Sequence, residues 1–228
     1  LSRDERKKTL AIALDEVGNK KPIVAGIFTD GTHEAAQLAK DAKAEGAAGL
    51  LIFPPSFFNW GARLRPEMPY RHFSMIAEAV DLPLIIFQYP PSSGVGYTTE
   101  TLVKLTEIPQ VAGIKEFSCD IVTFERNAKA VRETGRPVAI LSAYTMALLA
   151  TFLMGADGCI SGLGSVIADF QAEMFDLVQK GDFEAAHALN DRLLPLVDII
   201  YQPPFLDMHN RMKEALAILG RIDQAVVR

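Results

Sequence analysis

Short apolar runs alternating with longer amphipathic stretches constrain this chain more than any other feature. Six such runs stand at 22–28, 49–53, 82–88, 111–115, 137–142 and 158–161. Most lack a strict polar alternation, the pattern of parallel strands covered on both faces. The stretches between them carry helical period. Ile121, Phe124, Ala128 and Val131 fall on one face, and the stretch stops at Gly135-Arg136-Pro137. Phe73, Ile76, Ala77 and Val80 do the same. Before the first run lies a helix with a capping box, Ser2 with Glu5, an apolar face of Leu10, Leu14 and Val17, and Gly18 as its stop. Two strand entries echo each other, Glu45-Gly46-Ala47-Ala48-Gly49 and Met154-Gly155-Ala156-Asp157-Gly158. Each reads as a glycine-ended helix turning into a strand, the repeat of a βα protein.

After Ser161 the pattern is helical only, over about 166–179, 183–201 and 208–219. No linker or low-complexity tract marks a boundary, so one domain is expected. Residues 1–165 carry its βα units, and 166–228 carry the last barrel helix and a C-terminal helical extension. Six strands suit an open doubly wound sheet, whereas a closed (β/α)8 barrel needs eight. A first helix with no strand before it favours a (β/α)8 TIM barrel whose strands three to eight are seen. The first two βα units, roughly 50–60 residues on the size of a βαβ unit, are then expected to lie outside this chain.

Composition narrows the partners. The chain has 228 residues, 49% hydrophobic and 22% charged, with a formal net charge of −5. That is the globular average, without the basic tract that nucleic acid or an anionic membrane would require. No apolar run approaches the roughly 20 residues of a spanning helix. Two cysteines, Cys119 and Cys159, cannot staple a chain of this size, so a reducing, cytoplasmic location is expected.

Three places are candidates for chemistry. Lys115 ends the strand Val111-Ala112-Gly113-Ile114-Lys115. By strand period it shares a face with Val111 and Gly113 and reaches the C-terminal mouth, where barrel enzymes keep their active sites. A lysine desolvated there shifts towards its free amine and becomes a nucleophile for a ketone. The other reading is a strand-end lysine that reaches water or pairs with Glu116. Tyr89 follows the strand ending at Gln88 and opens the rigid loop Pro90-Pro91-Ser92-Ser93-Gly94, where its phenol can move a proton. The third is the glycine-rich turn Ile160-Ser161-Gly162-Leu163-Gly164-Ser165, whose N–H groups are of the kind that bind an anion. Ser142 and its neighbours through Thr145 add hydroxyls at another strand end. The four histidines, His33, His72, His187 and His209, have no metal-ligand spacing, so no metal is expected.

Taken in order, Leu82-Pro83, Pro90 with Gly94, Gly113-Ile114-Lys115-Glu116, Leu141-Ser142, Gly155-Ala156-Asp157-Gly158-Cys159-Ile160-Ser161 and Gly181-Asp182-Phe183-Glu184-Ala185-Ala186 give a resemblance. The chain resembles the dihydrodipicolinate synthase / N-acetylneuraminate lyase family of Schiff-base aldolases, over nearly all of residues 1–220. The resemblance implies a (β/α)8 barrel with extra C-terminal helices, a homotetramer, no cofactor, and lyase chemistry on pyruvate or another 2-oxo acid. It makes Lys115 the Schiff-base lysine and puts Ile160 where a main-chain carbonyl lies near the substrate, with Ser142, Ser161 and Gly162 beside it. The family's catalytic tyrosine aligns with Phe87, which leaves Tyr89, two residues on, to move protons. The arginine that synthases use for their second, dicarboxylic substrate aligns with Ser92, and no tyrosine stands in Pro54-Pro55-Ser56-Phe57-Phe58. These departures weigh against dihydrodipicolinate synthase activity itself. Two alternatives stay open: a phosphate-binding barrel enzyme without an imine, and a catalytically impaired paralogue that only binds a ligand.

Overall fold

The computed structural model describes residues 1–226, which form two compact units divided between Ile140 and Leu141. In the first unit, helix α1 (Arg3–Val17) starts with the expected capping box. Ser2 accepts from the Glu5 N–H, and the Glu5 carboxylate accepts from the Ser2 N–H at 2.6 Å. Its apolar face is only half-covered, because a cleft of about 270 Å³ separates parts of α1, β1 and α2. There follow β1 (Val24–Ile27), α2 (Thr32–Glu45), β2 (Gly49–Ile52), α3 (Glu67–Ala79), β3 (Leu84–Gln88), α4 (Thr99–Leu105), β4 (Val111–Glu116) and α5 (Ile121–Glu133). The strands pair in parallel in the order β1-β2-β3-β4. β1 is an edge strand, with Val24 exposed.

Register sorts the strand side chains into two faces. Ile27, Ile52, Ile86 and Ile114 stand side by side across the four strands, each at most 3% exposed. Burying each contributes about 1.5–3 kcal/mol as an upper estimate. This is the helix side, because Glu116, two residues beyond Ile114, bonds Asn127 of α5. Gly26, Leu51, Ile85 and Gly113 line the opposite face in the same order. The expected strict alternation of β4 is interrupted. Leu84 pairs with Val111 but Ile85 with Gly113, so Ala112 is an extra, exposed residue. A bulge of this kind resets the phase of a strand. Val111 therefore pairs on the face of Leu84, while Gly113 and Lys115 keep the face expected for the lysine.

The second unit takes up the last residues of β5 (Ala139–Ser142), which pair in parallel with β6 (Gly158–Cys159). One further bond, from the Ile160 N–H to the Ser142 carbonyl at 2.9 Å, ends the pairing before Ser161. Helices α6 (Leu148–Leu153), α7 (Gly164–Lys180), α8 (Phe183–Tyr201) and α9 (Met208–Ile218) complete the described residues, and α7 and α9 both pack on α8. Helices α7, α8 and α9 fall where helical stretches are expected over about 166–179, 183–201 and 208–219, and residues 227 and 228 lie outside the described residues. The two echoing strand entries share one geometry. Gly46 and Gly155 take φ of 106° and 84°, and the next N–H returns to Ala42 and Thr151 respectively, at 3.0 Å each. Only glycine adopts this left-handed turn without penalty. Six strands are thus found among the described residues, as the pattern of apolar runs predicted. Among the described residues no helix is long and apolar enough to cross a membrane.

Candidate active site

Lys115 is the last residue but one of β4 and stands beside Phe87 in the register of β3. Its Nζ lies 3.9 Å from the centroid of the Phe87 ring. Phe87 is itself buried and touches three further rings. Phe53 lies edge-on at 4.9 Å, Tyr89 tilts against it at 4.4 Å, and Phe117 lies at 6.4 Å. The alternative partner, Glu116, is on the other face. Its carboxylate accepts from the Ser118 N–H at 3.2 Å, the Ser118 hydroxyl at 3.1 Å and the Asn127 amide at 3.1 Å. Lys115 is therefore held against aromatic surface instead of pairing with its neighbour.

Burial against this surface pushes the Lys115 ammonium down to about 8 from its ordinary 10.5. At pH 7 a lysine held at about 8 is roughly one-tenth free amine, where an ordinary one is almost wholly charged. The π face of Phe87 works in the opposite direction, since it attracts the protonated form. Desolvation is the larger effect for a group that pairs with no carboxylate among the described residues. The amine is thus available as a nucleophile at neutral pH. Burial also pushes the Tyr89 phenol above its ordinary value, which keeps it protonated and able to donate.

Two buried polar side chains, neither singled out from the sequence, hold the loops around this lysine. Gln88 donates to the Tyr97 carbonyl and accepts from the Tyr97 N–H, both at 2.9 Å. That pair closes the loop carrying Tyr89, Pro90 and Pro91 onto the end of β3. Glu116 fixes the turn after β4 in the same manner, with Thr99 bonding Asn127 behind it at 2.8 Å. The signal was present in the sequence: a polar residue beside each of Phe87 and Lys115, at a position where the strand period points to the helices.

The remaining expected residues belong to the second unit. Ser142 is fully buried. Its hydroxyl bonds Thr151 at 2.7 Å and accepts from the Tyr144 N–H at 3.3 Å. The Ser161 hydroxyl bonds Thr145 at 2.8 Å and accepts from Gln171 at 3.0 Å. Tyr201 of α8 donates to Thr145 at 3.1 Å. The N–H groups of Gly164 and Ser165 return to the carbonyls of Ser161 and Gly162. The turn's donors at Gly164 and Ser165 are thus taken up by the protein itself, the opposite of what a phosphate-binding turn requires. Gly162 is exposed. His72 is buried, bonds Thr32 at 2.9 Å, and is pushed down to about 4 by burial, so it is a neutral packing group.

Comparison with known proteins matches this architecture. The sequence profile described as the Dihydrodipicolinate synthetase family matches residues 1–228. A 4-hydroxy-tetrahydrodipicolinate synthase of Nitrobacter hamburgensis is 32% identical over 228 residues, covering 99% of this chain and 73% of the relative. Among solved structures, the dihydrodipicolinate synthase of Thermotoga maritima superposes with a TM-score of 0.89 at 26% identity, over 100% of this chain and 75% of that one. The chloride-inhibited dihydrodipicolinate synthase of Acinetobacter baumannii, complexed with pyruvate, gives 0.83 at 28% identity, over 100% and 75%.

Proposed function

We infer, from a chain that belongs to the dihydrodipicolinate synthetase family and holds a desolvated lysine at the end of a strand, that Lys115 forms a Schiff base with pyruvate or another 2-oxo acid. The chain is an enzyme, a lyase. The observation that carries the mechanism is the Lys115 amine, 3.9 Å from the Phe87 ring and without a carboxylate partner among the described residues, made nucleophilic by burial. The amine attacks the keto carbon, a C–N bond forms, and the keto oxygen takes a proton to give the carbinolamine. Loss of water leaves a protonated imine, which draws electrons from the adjacent carbon as a C–C or C–O bond breaks or forms. Tyr89, protonated and packed on Phe87, is the group that supplies and recovers these protons. Pyruvate in the Acinetobacter baumannii structure supports the 2-oxo acid.

Borohydride trapping with pyruvate tests this reading. A reduced adduct mapped to Lys115 is expected, and its absence with every 2-oxo acid tried refutes the imine. A second reading, a paralogue that binds without turnover, is favoured by Phe87, which has no hydroxyl where the family resemblance puts a tyrosine. Adduct formation with no product from any aldehyde is its mark.

A further inference from the structure

Register places a row of rings beside the lysine. Ile27 pairs with Ile52 and Ile52 with Ile86, so the residues that follow, Phe28, Phe53 and Phe87, succeed one another across β1, β2 and β3, and Phe87 pairs with Lys115. The Phe53 N–H donates to the Ile27 carbonyl at 3.0 Å, which carries the pairing to this level. The spacings along the row are 5.4 Å from Phe28 to Phe53, 4.9 Å from Phe53 to Phe87, and 3.9 Å from the Phe87 centroid to Lys115 Nζ. With strands about 4.8 Å apart, the row extends about 14 Å from Lys115 to Phe28. The Phe53 ring also lies over Gly26, where an added Cβ would meet Phe53 Cε2 at 3.4 Å. Exposure rises along the row. Phe87 is 7% exposed, Phe53 is half-buried, and Phe28 is 48% exposed. A contiguous aromatic surface leading outward from a nucleophile is a place for an apolar body.

We infer that Phe28, Phe53 and Phe87 form a shelf for the second reactant, and that this reactant is an aldehyde with a flat, aromatic body. The inference rests on the Lys115 imine proposed above and names the partner that the imine meets. In the synthetic direction, the imine of pyruvate loses a proton from its methyl carbon to become an enamine. That carbon attacks the aldehyde carbonyl, a C–C bond forms, and the aldehyde oxygen takes a proton. Water then releases the amine and a 4-aryl-4-hydroxy-2-oxobutanoate. Cleavage runs through the same steps in reverse. An aromatic ring stacks on Phe53 and Phe28 with its carbonyl towards Lys115, whereas a carboxylate-bearing chain would lose part of its water against those rings.

The test uses the 228-residue chain, with benzaldehyde and succinic semialdehyde as competing partners of pyruvate. Benzaldehyde is expected to give at least a tenfold higher kcat/KM. Phe53→Ala is expected to raise the KM for benzaldehyde about tenfold with kcat changed less than threefold; Phe28→Ala, at the exposed end, serves if Phe53→Ala does not fold. Preference for succinic semialdehyde, or a benzaldehyde KM unmoved by both substitutions, overturns the shelf while a Lys115 adduct with pyruvate keeps the imine. Saturation-transfer NMR with benzyl alcohol reads the shelf without any imine. A signal in the parent chain that is lost in the variants supports it even if no pyruvate adduct forms, and no signal in the parent chain overturns it.

Discussion

Replacing Lys115 by methionine puts a thioether of similar length where an ammonium stands against the Phe87 ring. Burial holds this lysine at about 8, against 10.5 for an ordinary one. Below pH 8 it is charged in both the folded and the unfolded chain, and folding bears the full cost of the shift. At 1.36 kcal/mol per unit, 2.5 units amount to about 3 kcal/mol. Between pH 8 and 10.5 the folded lysine is neutral while the unfolded one still binds its proton, so wild-type stability rises with pH over that window. Above 10.5 both are neutral and the cost is gone. Lys115→Met is therefore expected to be more stable than wild type by about 3 kcal/mol at pH 7, with the gap closing by pH 10.5. Urea unfolding of both proteins at intervals from pH 7 to 10.5 measures it, since their difference cancels the other titrating groups. A gap that is absent, reversed or independent of pH would refute desolvation as the source of the lysine's reactivity.

Other outcomes follow from the same geometry. Tyr89→Phe is expected to lower turnover by about 10²–10⁴, the usual loss of a general acid–base group, and an unchanged rate removes Tyr89 from the mechanism. Gln88→Leu leaves the buried N–H and carbonyl of Tyr97 without their partner, at about 1–3 kcal/mol for each, so urea unfolding should detect a clear loss of stability. A loss below about 1 kcal/mol would mean that the loop is held by other contacts.

The parallel strands and the helical tail were legible because each leaves a local trace. An apolar run bounded by glycine or proline marks a strand, and the echo of Gly46 in Gly155 marks the same left-handed exit twice. The face of Lys115 was legible for the same reason, as period two survives from Gly113 onward. The position of Val111 was not, because the bulge at Ala112 arises from pairing with β3 and leaves no mark within β4. Ser161 is expected beside the substrate from the family resemblance, and the bonds of its side chain leave no local trace. Its hydroxyl is occupied by Thr145 and by Gln171 of α7, ten residues further on, and the companion Tyr201 comes from α8.

By itself the sequence determined the order and type of the elements, the family, and the lysine at the end of β4. These depend on neighbours within a few residues or on a motif that survives as a string. The tertiary structure alone decided the lysine's surroundings. Phe28, Phe53 and Phe87 are separated by 25 and 34 positions in the chain, and nothing local relates them. Parallel pairing brings them to one level, because each crossover returns the chain to the same edge of the sheet at a fixed register. Phe87, set beside Lys115 by that pairing, takes water from it, and loss of water, which no single segment can accomplish, gives a lysine that is still mostly ammonium at neutral pH a far larger free-amine share than an exposed one has.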